Sequence, residues 1–158
     1  MVDIFTGKVI IKNTRDRGQD PNFLGANYVN GVLTPVLAVK GDGLTLSVWN
    51  IVPTITGFPN VSPSYIQITA PDETVYNLGV TFPPSSGGVC VMNQVGKTPP
   101  GTVYDQWYFP YETRILLAYN LIDPKRQNFS LDAGLYPKAA IWDFVSSVNQ
   151  TWQITKSS

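Results

Sequence analysis

The sequence predicts one all-β domain spanning residues 1–158, an antiparallel β-sandwich of jelly-roll or immunoglobulin-like type. Three observations predict it. Several segments alternate apolar and polar residues at period two. The 13 prolines and 13 glycines are spread along the chain and interrupt it roughly every ten residues, the rhythm of short strands joined by turns. No segment holds a 3.6-residue hydrophobic period over about 12 residues. A chain of 158 residues that is 43% hydrophobic suits one domain with a sizeable core.

The elements follow in order. Residues 5–12 are β-rich, with Val9 and Ile11 on one face. Residues 14–30 are polar, with Gly18, Pro21 and Gly25, and read as a long loop. Residues 32–40 are apolar and β-branched, with Pro35 near the start, a position an edge strand tolerates. Gly41-Asp42-Gly43 signals a turn. Residues 44–51 then alternate, so 32–40 and 44–51 read as a hairpin. Residues 65–69 and 75–82 alternate around the turn Pro71-Asp72-Glu73. Residues 89–92 form a short buried strand. Residues 113–122, after Pro110, read as a strand buried on both faces or a short helix, with strand preferred because no capping residues bound the segment. Residues 139–145 and 151–156 complete about nine or ten strands in two layers. No internal repeat stands out.

Composition excludes several kinds of chemistry. Only 14% of residues are charged, against roughly 25% in a typical soluble domain, a balance shared by secreted β proteins, lectins and virion shells. Eleven basic residues match eleven acidic ones, so no basic field exists to displace counterions from phosphates, and nucleic acid is excluded as a partner. The chain has no histidine. That removes Ser-His-Asp and Cys-His catalysis and the usual zinc ligand sets. The single cysteine, Cys90, sits in the apolar run Val89-Cys90-Val91-Met92 and reads as a core residue. No dinucleotide-binding or phosphate-binding glycine loop appears. No run of about 18 apolar residues offers a membrane span. The first eleven residues lack a basic start followed by an apolar block, which predicts cytoplasmic synthesis, with release or incorporation into a particle left open.

Two kinds of acidic site remain. A pair of carboxylates runs glycoside hydrolysis, but Glu73 and Glu112 lie in a turn and a Pro-flanked segment that nothing brings together. No cofactor is expected. Calcium, which takes only oxygen ligands, is the one metal kept, with Asp42 and Asp123 in turns as its weak candidates. The positive signal is aromatic. Asp105-Gln106-Trp107-Tyr108-Phe109-Pro110-Tyr111 sets four aromatics beside an acid, and Ile141-Trp142-Asp143-Phe144 does something similar. A sugar site combines an aromatic platform with side chains that exchange hydrogen bonds with hydroxyls. The candidate ligand-binding residues are therefore Asp105, Trp107, Tyr108, Trp142 and Asp143. Alternation also requires that at least one of Trp107, Tyr108 and Phe109 face outward.

Scattered short motifs give a family resemblance. Val2-Asp3-Ile4 opens the first strand and a loop with Asp20-Pro21-Asn22 follows. Gly41-Asp42 precedes a strand ending in Trp49. Asp105-Gln106-Trp107-Tyr108 leads to the segment from Leu117 to Asp123, and Trp142-Asp143 comes near the end. In these the chain resembles the AidA/PixA-type inclusion-body proteins of bacteria. It departs from them in a longer Gly-Asp to Trp spacing and in Phe144 where the family has proline. The resemblance implies a β-sandwich, no catalytic residues and a lectin-like role.

The function expected from these readings is non-enzymatic recognition by a carbohydrate-binding, lectin-like β-sandwich, assembled as a homo-oligomer so that weak sites gain avidity. The alternative is a structural subunit of a viral or phage particle, a capsid, decoration or fibre protein, since low charge and many aromatics also suit subunit contacts. A carboxylate-based hydrolase is the third reading.

Overall fold

The computed structural model describes residues 6–14, 22–38, 45–54, 63–97, 101–110, 112–119, 128–135, 137–145 and 147–157. These residues form an all-β, antiparallel structure, as the alternation predicts. Its strands are β1 (Gly7–Asn13), β2 (Asn22–Val29), β3 (Val32–Ala38), β4 (Thr45–Leu46), β5 (Trp49–Pro53), β6 (Ser64–Thr69) and β7 (Val75–Thr81). After these come β8 (Cys90–Gln94), β9 (Val103–Tyr104), β10 (Trp107–Tyr108), β11 (Leu116–Leu117), β12 (Phe129–Asp132), β13 (Ala140–Asp143) and β14 (Trp152–Lys156). All of them join one curled sheet, so the opposed layers are parts of a single hydrogen-bonded surface.

The curl is a closed ring. Antiparallel ladders run from β14 to β1, β5, β6, β10 and β11 in turn. The Trp152 N–H donates to the Thr113 carbonyl at 2.9 Å and ties β14 back to the segment leading into β11. Three hairpins, β2–β3, β7–β8 and β12–β13, rise from this ring. They meet one another through bridges between Val36 and Lys138 and between Val89 and Ala140.

The arrangement is three-fold, a trefoil of units in which a ring strand leads into a hairpin and a second ring strand follows. The core repeats with it. Trp49, Trp107 and Trp152 are fully buried, and each donates its indole N–H to a leucine carbonyl on the first hairpin strand of its own unit. The acceptors are Leu24 at 2.8 Å, Leu78 at 2.8 Å and Leu131 at 3.0 Å. A buried indole needs such an acceptor. The three leucines are also fully buried. No repeat shows in the sequence because the Leu–Trp separation varies, at 25, 29 and 21 residues.

One predicted pairing is corrected. Residues 32–40 do not form a hairpin with 44–51. β3 pairs with β2, in the stretch read as a loop, and β4 also pairs with β2. The cause is Asn30-Gly31, whose φ values of 52° and 77° build the two-residue turn that suits the twist of antiparallel strands. Gly41-Asp42-Gly43 lies outside the described residues. Of the segment read over 113–122, Leu116–Leu117 form strand and 120–122 lie outside the described residues, and the turn at Pro71-Asp72-Glu73 stands where predicted. Cys90 is buried in the core, and burial pushes its thiol well above the usual range.

Candidate functional site

The three-fold register brings the candidate residues to two places, which are equivalent stations of different units. In the second unit, β9 lies against β7, and Gly79 allows the close approach: a Cβ there would meet the Tyr104 carbonyl at 2.8 Å and the Asp105 Cβ at 3.0 Å. Asp105 is thereby held over the β7–β8 hairpin. Its Oδ2 accepts the side-chain amides of Asn77 and Asn93, both at 2.9 Å, and these two residues face each other across the hairpin. Among the described residues no hydrogen bond reaches Asp105 Oδ1 and no cation pairs with the carboxylate. Tyr65 and Tyr104 lie close enough that its charge adds to desolvation in holding both phenols above their ordinary range. Three more oxygens here are buried without a partner: Asn77 Oδ1, Asn93 Oδ1 and the Tyr104 hydroxyl.

In the third unit, Trp142 lies across from Ser130 on β12 and is 45% exposed, while the other three tryptophans are fully buried. Its indole rests on Gly87, where a Cβ would come within 3.0 Å of the ring. Gly87 has φ 85°, a conformation side chains resist. The neighbouring Ser86 hydroxyl accepts the Asp143 N–H at 3.1 Å and keeps its own proton to donate. Asp143 is half-buried, with Oδ1 lacking a partner. Gln150, fully buried, pins this strand end: its Nε2 donates to the Asp143 carbonyl at 2.7 Å and to Asp132 Oδ2 at 3.0 Å, and its Oε1 accepts the Val145 N–H at 2.9 Å.

The remaining candidates separate. Trp107 is a correction: it is fully buried, bonded to Leu78, and has no surface to offer a ligand. Tyr108, the next residue along β10, is half-buried and donates its hydroxyl to Asn128 Oδ1 at 3.2 Å, while Phe109 turns back into the core. This is the outward member that alternation requires. Asp105 and Asp143 share no partner in the hydrogen bonds described. The calcium candidates Asp42 and Asp123 lie outside the described residues. Asn77, Asn93, Ser86 and Gly87 carry no local sequence signal for a site. Only the doublet Gly87-Gly88 hints at a close approach.

An exposed aromatic ledge and a polar cluster are thus set on a three-fold β ring with hairpins. No family model and no curated protein matches the chain. Among solved structures, it is similar to the Macrolepiota procera ricin B-like lectin in complex with lactose, with TM-score 0.53 and 14% sequence identity, covering 99% of this chain and 100% of that one. The likeness shows the fold alone, along nearly the whole chain.

Proposed function

We propose that the protein is a non-enzymatic, lectin-like carbohydrate-recognition domain whose sugar-contacting surface is the ledge carrying Trp142. The observation that carries this is the placement of Trp142: the one exposed tryptophan, seated on Gly87, whose neighbour Ser86 offers its hydroxyl. A pyranose ring offers an apolar C–H face and a rim of hydroxyls. The indole takes the first, and the Ser86 hydroxyl takes part of the second. Because the seat is built from backbone and a glycine, the indole is pre-positioned and loses little freedom on binding. The similarity to a lectin that binds lactose supports the reading at the level of the fold.

The test is a glycan array, with lactose included, probed with the wild-type protein and with Trp142→Ala. Reproducible saccharide binding that Trp142→Ala loses, at unchanged thermal unfolding, is the expected result. Wild-type binding that survives in Trp142→Ala contradicts the assignment, and a wild-type protein that binds no saccharide contradicts the function. Gly87→Ala is expected to weaken binding as well, because its Cβ displaces the ring.

A further inference from the structure

Asn30 is the only asparagine of the chain that a glycine follows. The pair forms the two-residue turn between β2 and β3, with Val29 facing Val32. Both residues are exposed, and a Cβ on Gly31 would meet nothing within 4 Å, so water reaches this tip. An asparagine side chain and the next backbone nitrogen close a five-membered ring when they meet. Here the Gly31 nitrogen would give up its proton and bond to Asn30 Cγ, the Cγ–Nδ2 bond would break, and ammonia would leave with that proton. Glycine lacks the Cβ that crowds such an attack. Water then opens the succinimide at either carbonyl. Opening at Cγ yields aspartate, and opening at the backbone carbonyl yields isoaspartate, whose main chain runs through Cβ and Cγ.

We propose that Asn30 is a deamidation site that the β2–β3 hairpin holds shut, and that its isoaspartate product destroys the turn that protects it. The protection is a matter of backbone geometry. Asn30 has φ 52°, in the left-handed region, where ψ lies at about +30 to +60°. In an L-residue that ψ sets the next nitrogen nearly opposite Cβ across the Cα–C bond. Ring closure needs the two on the same side, so Asn30 must leave the turn conformation before Gly31 can attack. The ladder opposes that departure, with seven residue pairs running from Val29 with Val32 to Phe23 with Ala38. Local opening of the tip therefore gates the reaction. The two products then differ. Asp-Gly suits the same turn, so aspartate rebuilds the hairpin with one added negative charge. Isoaspartate adds a carbon to the main chain of a turn whose two residues match the strand twist, and the paired register no longer closes. Loss of ammonia makes the step one-way, so each such event removes a sound hairpin for good.

The inference does not rest on the Trp142 reading, since the tip belongs to the first unit and the ledge to the third. Its test incubates the whole protein in mildly alkaline buffer, native and in guanidinium chloride above the unfolding transition, with Asn30→Gly in parallel. Peptide mapping by mass spectrometry follows the exchange of amide for hydroxyl at each asparagine. Asp42-Gly43 closes the same ring by losing water and regains it on opening, so its mass is unchanged and it does not interfere. In denaturant, Asn30 is expected to react ahead of every other asparagine. In the native protein its rate is expected to fall at least tenfold, and in Asn30→Gly the mass change in that peptide is expected to vanish. The isoaspartate chain, separated and refolded, is expected to unfold at a lower denaturant midpoint than the unmodified protein, and the aspartate chain at a similar one. Another asparagine reacting first in denaturant overturns the site. Equal rates at Asn30 in native and unfolded protein overturn the protection, and an isoaspartate chain as stable as the unmodified one overturns the damage assigned to it.

Discussion

The Trp107 indole donates to the Leu78 carbonyl at 2.8 Å, and the same bond joins Trp49 to Leu24 and Trp152 to Leu131. These three contacts fasten each unit's second ring strand to its hairpin. Trp107→Phe keeps most of the volume but leaves a buried carbonyl unpaired, a loss of about 1–3 kcal/mol. Trp107→Ala adds a cavity and is expected to cost about 3–5 kcal/mol. Urea unfolding measures both, with matching losses expected at Trp49 and Trp152. A near-neutral Trp107→Phe contradicts the role given to the bond.

The β2–β3 hairpin depends on Asn30-Gly31. A Cβ on Gly31 meets nothing within 4 Å, so the cost of Gly31→Ala comes from its φ of 77° alone. A loss of about 1–2 kcal/mol is expected, with Asn30→Gly close to neutral because glycine also favours that conformation. Denaturant midpoints of the two variants test the pair. Equal losses contradict the turn assignment.

Asp72 makes acid stability local. The Thr74 backbone N–H, which donates to Asp72 Oδ1 at 3.0 Å, then the Thr74 and Tyr28 hydroxyls, hold its carboxyl below its ordinary value. The folded pKa lies below the unfolded one, so this contribution is complete above the unfolded value of about 3.9 and fades as pH falls through the folded pKa. Asp72→Asn is expected to flatten the fall in melting temperature below about pH 4. A slope identical to wild type contradicts this.

Cys90 is 2% exposed and its thiol is held in the protonated form by burial. A thiol reagent at neutral pH is expected to leave the native protein unmodified and to label one cysteine per chain in denaturant. Rapid native labelling contradicts the placement.

How far these features were legible depends on their reach along the chain. Strand-to-strand alternation is local, and it placed residues 65–69 and 75–82 almost to the residue. It also required an outward aromatic in β10, though not which one. The sequence put Trp107 in the site because it adjoins Asp105 and Tyr108. The three-fold core claims it, through a carbonyl 29 residues away. Asp105 takes its partners from 28 and 12 residues away, so nothing nearby announces them. Asn30-Gly31 was a visible turn signal hidden by the polar run around it. Ser86 and Gly87 matter only because a strand from another unit lies beside them.

The measurement that tests the central claim most directly is a calorimetric titration of the strongest array saccharide into wild type and Trp142→Ala. The account predicts saturable binding in wild type and at least a tenfold loss in Trp142→Ala, with both proteins unfolding at the same temperature. Equal affinity in the two proteins contradicts it.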